Sequence, residues 1–119
     1  MSRVEFLTYK GKRILLIDFS KLKAEQVLLV MHEAKVVISR QPEQSVLTLT
    51  NITEMHFDEK IMAALKEYVT HNKPYVKAGA VVGAKGLQAV VKMGVERASL
   101  RKLTDFDSRA AAQEWLIQQ

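Results

Sequence analysis

The sequence contains no cysteine, only two prolines, and few aromatic residues, with one tryptophan, three tyrosines and four phenylalanines. Without cysteine the chain cannot form disulfide bonds or thiolate metal sites. No apolar run approaches the ~20 residues that a membrane-spanning helix requires. The first five residues, MSRVE, also lack the apolar core of a signal peptide. From these absences we expect a cytoplasmic protein without a transmembrane segment.

The remaining composition is that of an ordinary globular protein. Of the 119 residues, 48% are apolar and 26% are charged, which is enough apolar sequence for one core. We therefore expect a single domain over residues 1–119. The formal net charge of +5 permits an anionic partner, although a solvated surface with a lysine bias is the simpler explanation.

Hydrophobic periodicity predicts strands and helices in the order ββαβαβαβα. The predicted strands cover residues 4–9, 13–19, 45–51, 75–82 and 98–103. The predicted helices cover residues 21–40, a segment that opens at 57–59, and segments around 87–95 and 110–116. Ser20 is the expected cap of the first helix, and Asp107 or Ser108 that of the last. This alternation predicts an α/β fold with a mostly parallel sheet of four or five strands and about four helices.

Positive charge is concentrated in residues 73–102, which hold seven lysines and arginines against one glutamate. Within this segment VKAGAVVGAKGL (76–87) predicts a buried strand, a glycine turn and a helix start. A helix start offers unpaired N–H groups and a positive dipole end, so it suits an anion. The simpler alternative is that Gly79 and Gly83 permit the turn and close strand–helix packing.

Three segments carry a resemblance to a known family. They are VLTLTNITEMHFDE (46–59), KPYVKAGAVVG (73–83) and DSRAAAQEWL (107–116). With the element order, they resemble STAS domains, the fold of anti-sigma-factor antagonists, and in particular the SpoIIAA-like branch. The resemblance implies a small sheet with helices packed on it, and a role as a binding module. A related lipid-transfer fold of similar outline is associated with apolar ligands.

The regulatory segment of that family differs in this chain. In the antagonists an Asp-Ser-Ser/Thr-Gly segment follows the central strand, and phosphorylation of its hydroxyl controls binding. Residues 56–59, HFDE, stand at that position. The phosphoacceptor is missing, so we expect no such phosphorylation switch. Asp58 supplies a permanent negative charge there, and Glu59 replaces a flexible glycine.

The candidate binding surface combines the loop after the third strand with the glycine turn after the fourth. It comprises Thr53, His56, Asp58, Gly83, Lys85 and Gly86. Lys85 and the nearby N–H groups would hold an acidic group, while Asp58 would fix the loop electrostatically. Asp18 and Asn51 form a possible edge site, because ligands tend to bind at the carboxyl ends of parallel strands. The simpler alternative is that Asp18 braces the turn with Ser20.

We recognise no catalytic or metal-binding motif. The turn GAKG (83–86) is not a Walker A motif, because no Lys-Ser/Thr pair follows the glycine. The three histidines are widely separated, without H-E-x-x-H, so we expect no metal site. No serine lies in G-x-S-x-G. We expect no cofactor, and no nucleic-acid partner, because aromatic platforms are few.

Together these observations favour a non-enzymatic regulatory or interaction module of STAS type that binds a protein partner or a small anionic ligand. One alternative is a binder of an apolar or lipid-like anion, in which Leu29 and Val36 of the first helix line a pocket. The same two residues are also candidates for contacts between the subunits of a homodimer. An unrecognised enzyme that uses Asp18 or His56 comes last, because no nucleophile, base and orienting group stand together.

Overall fold

The computed structural model describes residues 2–119, which form five strands and four helices in the predicted order ββαβαβαβα. The elements are β1 (Val4–Tyr9), β2 (Lys12–Asp18), α1 (Ala24–Ser39), β3 (Val46–Asn51), α2 (Glu59–Asn72), β4 (Val76–Val82), α3 (Leu87–Ser99), β5 (Thr104–Phe106) and α4 (Arg109–Leu116). The α/β class and the element order are thereby confirmed.

The sheet is mixed, which corrects the expectation of a mostly parallel one. Its strands lie in the order β1-β2-β3-β4-β5. β1 pairs antiparallel with β2, while β2, β3, β4 and β5 follow one another in parallel. The short turn at Lys10 and Gly11 reverses the chain, so β1 can pair only antiparallel, whereas each helical crossover returns the chain to its original direction.

Helices cover both faces of the sheet. α1, α2 and α3 pack side by side on one face, where the larger core cluster includes Leu15, Ile17 and Phe19. α4 covers the opposite face, where Ala112 and Leu116 pack with Ile14. Adjacent parallel strands joined by crossovers of one hand carry their helices on the same face. α4 follows the last strand without a further crossover, so it is free to cover the other side.

One predicted strand is misplaced. Residues 98–103 were expected to form the last strand, but α3 continues through Ser99 and β5 begins at Thr104. The Ser99 hydroxyl donates to the Val95 carbonyl at 2.7 Å within the helix. Leu100 then adopts a left-handed conformation with φ of +57°, which ends the helix. The buried face of α3, which includes Val91, Val95 and Ser99, therefore continues into the segment that was expected to be a strand.

The helix caps were partly predicted. Ser108 caps α4 by accepting a hydrogen bond from the Ala111 N–H at 3.1 Å. Ser20 does not cap α1, which begins only at Ala24 after Lys23. The Ser20 N–H instead donates to the Asp18 carboxylate at 2.9 Å, so this turn is closed by the residue that ends β2. Between residues 2 and 119, no helix is long and apolar enough to cross a membrane.

Candidate functional site

The predicted edge residues follow strands that end at the same side of the sheet. Asp18 at the end of β2 stands opposite Asn51 at the end of β3, and Asn51 stands opposite Val82 at the end of β4. Gly83 follows directly. The parallel register therefore brings the loop at residues 53–59 and the turn at residues 83–86 to one edge.

Within this edge, the loop and the turn touch. Asn51 Oδ1 accepts hydrogen bonds from the Thr53 N–H at 3.1 Å and from the Thr53 hydroxyl at 2.7 Å. Gly83 has φ of +92°, and a Cβ atom there would lie 2.2 Å from Thr53 Oγ1. The amide of Gln88 in α3 reaches the Met55 carbonyl at 3.4 Å. The loop is thus fastened to both β4 and α3.

Asp58 is the N-cap of α2. Its Oδ1 accepts from the Ile61 N–H at 2.8 Å, and its Oδ2 lies 3.3 Å from His56 Nε2. The Ile61 hydrogen bond, with a smaller contribution from His56, lowers the pKa of Asp58 from its ordinary value. The carboxylate therefore stabilises the helix start and orients the loop, while half of its surface stays open to solvent.

The Asp18 carboxylate is engaged within the protein. It accepts from the Ser20 N–H and lies 3.4 Å from the Arg3 guanidinium. Arg3 also donates to the Ser20 carbonyl at 2.9 Å. Asp18 and Asn51 share an edge as predicted, but both side chains hold turns there, which is the simpler role that the sequence also allowed for Asp18.

Lys85 and Gly86 lie at the exposed start of α3. Gly86 is the N-cap residue with φ of +59° and ψ of −123°, a conformation that glycine adopts readily. The Lys85 N–H donates to the Gly83 carbonyl at 2.9 Å. Within the described part of the chain no carboxylate lies within 4.0 Å of the Lys85 ammonium, so its charge faces solvent.

α3 presents an apolar face to solvent beside this turn. Its large exposed apolar residues are Leu87, Val90, Met93 and, at the helix end, Leu100. Val90 is 65% and Leu100 is 81% exposed. Arg97 is also exposed on this helix, whereas its one acid, Glu96, is half-buried and paired with Lys92. We name the loop 53–59, the turn 83–86 and these exposed α3 residues the loop–α3 surface.

A cavity that the sequence did not predict lies between the sheet and helices α2 and α3. Polar groups of Thr48, Tyr68, Asn72, Lys92 and Arg101 line it together with many apolar side chains. Tyr68 was expected only as a core residue of α2, and Arg101 only as part of the basic segment. No pattern in the sequence indicates that Tyr68 and Arg101 line the same cavity, because 33 positions separate them.

No metal centre is found in residues 2–119, where no three His, Asp or Glu side chains group closely enough to hold an ion. Comparison of the chain with protein-family models, with curated proteins and with solved structures finds no match. The similarity to STAS domains therefore stays a prediction, based on the sequence pattern and the element order.

Proposed function

We propose that this chain is a STAS-like, non-enzymatic interaction module of the cytoplasm, and that it binds a protein partner through the loop–α3 surface. Three features support the proposal. The loop and the turn lie at one edge of the sheet, α3 continues from them, and the carboxylates of Asp18 and Asp58 hold turns of the chain. Catalysis would require a nucleophile hydrogen-bonded to a base, and among the described residues the His56 ring is hydrogen-bonded only to Asp58, so the arrangement favours recognition.

The exposed apolar face of α3 is the observation that carries the proposal. Large apolar side chains scattered singly on a surface are normal, but a row of them along one helix marks an interaction site. Leu87, Val90 and Met93 follow at intervals of three residues and are each more than half exposed. Covering this row with a partner would remove apolar area from water, which is the main driving force of association.

Charge around the row indicates the chemistry of the partner. Lys85, Arg97 and Lys102 are exposed beside it, while Asp58 and Glu59 lie across the groove between α2 and α3. The basic side would meet acidic groups on a partner, which speeds association and selects partners. A second copy would present the same exposed basic side chains beside its own apolar row, so we favour a partner with an apolar patch and an acidic rim.

The experiment compares two glutamate substitutions at exposed apolar positions. Val90→Glu changes the α3 row, and Leu29→Glu is the control, because Leu29 is 72% exposed on α1, away from this surface. A partner identified with the wild-type chain by cross-linking should lose at least about 10-fold in affinity with Val90→Glu, as expected for a central interface residue. Its affinity for Leu29→Glu should stay within about 2-fold, because changes outside an interface centre are nearly neutral.

Further outcomes separate the alternatives. Binding that survives Val90→Glu but fails with Leu29→Glu would move the interface to α1 and overturn the proposal. The double substitution of Asp58 and Lys85 tests the loop and turn in the same assay, since an unchanged affinity would remove them from the interface. Native mass spectrometry of the wild-type chain reads the subunit number directly. A dimer that dissociates with Val90→Glu would identify the partner as a second copy.

The alternative function, binding of an apolar or lipid-like anion, keeps some support, but the expected pocket at Leu29 and Val36 of α1 is not where the cavity lies. Leu29 lies in solvent and Val36 is half-buried. The apolar cavity instead lies against α2 and α3. An enzyme that uses Asp18 or His56 remains the least favoured alternative, because among residues 2–119 neither side chain is hydrogen-bonded to a nucleophile.

A further inference from the structure

The cavity between the sheet and helices α2 and α3 has a volume of about 60 Å³. Its apolar lining includes Phe19, Leu65, Val81, Val95 and Leu103. Space of this size holds a few water molecules or one small organic group. Arg101 and Leu103 line the cavity and are only half-buried, so the cavity approaches solvent at the connection between α3 and β5.

The Tyr68 hydroxyl is a buried polar group without a hydrogen-bond partner in the described chain. The Asn72 amide lies close to this hydroxyl but forms no hydrogen bond with it, and Asn72 Oδ1 is 3.0 Å from His71 Nδ1. Burial raises the pKa of Tyr68, and the nearby Asn72 and Arg101 oppose that effect. An orphaned buried hydroxyl destabilises a protein unless something else binds it. Tyr68 therefore offers a donor to whatever occupies the cavity.

Arg101 is a partly buried cation without an acidic partner. Across residues 2–119 no carboxylate lies within 4.0 Å of its guanidinium. Its one hydrogen bond to the protein goes to the Val69 carbonyl at 3.3 Å, which leaves most of its five donors free. Burial lowers the pKa of the Arg101 guanidinium. A cation in such a place is stabilised by an anion.

The charge of the cavity defines the charge of the ligand. Lys92 also lines it, but its ammonium lies 3.0 Å from Glu96 Oε1 and 3.2 Å from Asp105 Oδ2. The positive charge of Arg101 is therefore the one left without a counter-ion. A dianion such as phosphate would carry excess negative charge into a cavity with one unpaired positive charge, whereas a monoanion would be neutralised.

We propose that this cavity binds a small monocarboxylate with a short aliphatic body. Arg101 would donate two parallel N–H bonds to the carboxylate, and Tyr68 a third bond through its hydroxyl. The aliphatic body would lie against Val81, Val95 and Leu103. Gly79 leaves room for this arrangement. A Cβ atom at position 79 would crowd Thr48 Oγ1 at 3.1 Å and an Arg101 nitrogen at 3.2 Å. Met55 and Phe57 of the loop also line the cavity, but Tyr68 and Arg101, which would hold the carboxylate, lie outside the loop–α3 surface, so the proposal does not depend on protein binding.

The test is a calorimetric titration of the full chain with acetate, which is small enough for a space of about 60 Å³, compared with acetamide, which has nearly the same shape without the charge. Acetate should bind and acetamide should bind at least about 10-fold more weakly, because a hydrogen bond to a charged group contributes more than a neutral one. Equal affinities, or no acetate binding up to about 10 mM, a very weak affinity, would overturn the proposal.

Two variants locate the site. Arg101→Gln should weaken acetate binding at least about 10-fold, whereas Arg97→Gln, at an exposed position of α3, should leave the acetate affinity unchanged. Tyr68→Phe keeps the shape of the side chain and should weaken acetate binding about 10-fold, because it removes a hydrogen bond to a charged acceptor. If Arg101 served only the Val69 carbonyl, Arg101→Gln would lower the melting temperature and leave the acetate affinity intact, which would also overturn the proposal.

Direct contacts provide an independent check. Intermolecular NOEs should join the acetate methyl group to methyl groups of Val95 or Leu103. NOEs to the exposed methyl groups of Val90 or Leu29 instead would place acetate on the surface and contradict the assignment.

Discussion

Gly83 packs so closely against Thr53 that a Cβ atom at position 83 would lie 2.2 Å from the Thr53 hydroxyl oxygen and 2.6 Å from its backbone nitrogen. This contact joins the loop that follows β3 to the turn that follows β4. Because Asn51 holds Thr53 by two hydrogen bonds, the loop has little freedom to yield. The edge of the sheet is therefore built around a glycine that no other residue can replace without displacing the loop.

The first prediction concerns that glycine. Gly83→Ala should destabilise the protein by more than about 2 kcal/mol, since it combines a positive φ with a backbone clash. Gly11→Ala is the matched control, because Gly11 has a similar φ of +83° but no atom within 4 Å of an added Cβ. Gly11→Ala should lower the free energy of unfolding by about 1 kcal/mol. Urea unfolding measures both, and equal losses would mean that the contact with Thr53 is unimportant.

The second prediction concerns the orphaned hydroxyl of Tyr68. Tyr68→Phe should leave the free energy of unfolding unchanged or raise it by up to about 1 kcal/mol, because it removes a buried polar group that lacks a partner. Thermal unfolding in buffers without carboxylates measures this change. A loss of more than about 1 kcal/mol would show that the hydroxyl has a partner within the folded protein.

Alkaline pH tests the same residue in another way. Burial raises the pKa of Tyr68 in the folded state, so its contribution to stability is complete below the ordinary tyrosine pKa of about 10. Above that pH the unfolded chain loses the proton first, and stability falls as the pH rises. Urea midpoints of the wild type should therefore decline above pH 10 more steeply than those of Tyr68→Phe. Parallel declines would contradict the burial of the phenol.

The third prediction concerns the cap of α2. Asp58→Ala should lower the urea midpoint at pH 7, because the Ile61 N–H loses its acceptor. Since the folded pKa of Asp58 is lowered, its charge contributes stability above the ordinary value of about 4, and this contribution is lost as the pH falls through the folded pKa. The difference between the wild type and Asp58→Ala should therefore shrink in acid.

Asp58→Asn provides the control for this prediction. It keeps a capping oxygen but does not titrate, so its stability relative to Asp58→Ala should change little with pH. If the wild type stays more stable than Asp58→Ala by the same amount down to pH 2, the stabilisation comes from the size and shape of the Asp58 side chain and not from its charge.

The fourth prediction concerns Lys92, which joins α3 to β5. Its ammonium contacts Glu96 and Asp105, and Glu96 accepts from the Leu103 N–H at 2.7 Å. Lys92→Met should cost about 1–3 kcal/mol, because it leaves a half-buried carboxylate without its cation. Chemical denaturation at neutral pH measures the loss.

Lys35→Met is the control for the Lys92 network. Lys35 pairs at 3.2 Å with Glu67, whose side chain is 77% exposed, and such surface pairs contribute less than about 1 kcal/mol. If both substitutions lower the free energy of unfolding by the same amount, the ion pairs of Lys92 contribute no more than an ordinary surface pair.

Several features of the fold could be predicted because they depend on residues close together in sequence. The apolar run of β2, the alternation of strands with helices and the acid at Asp58 all indicate local structure, and the element order follows from them. The edge that joins Asp18, Asn51 and Gly83 could also be predicted, since carboxyl ends of parallel strands lie together. The end of α3 could not, because Leu100 ends it in a left-handed conformation that leucine rarely adopts.

Only the tertiary structure decided which distant side chains meet. The sequence by itself determined the class, the order of the elements and the lack of disulfides, since composition and periodicity are properties of the chain alone. The placement of Tyr68 and Arg101 at one cavity, and the contact of Thr53 with Gly83, depended on how α2, α3 and the loops pack on the sheet. That packing is set by the combined shapes of many buried side chains, and no short segment of the sequence contains this information.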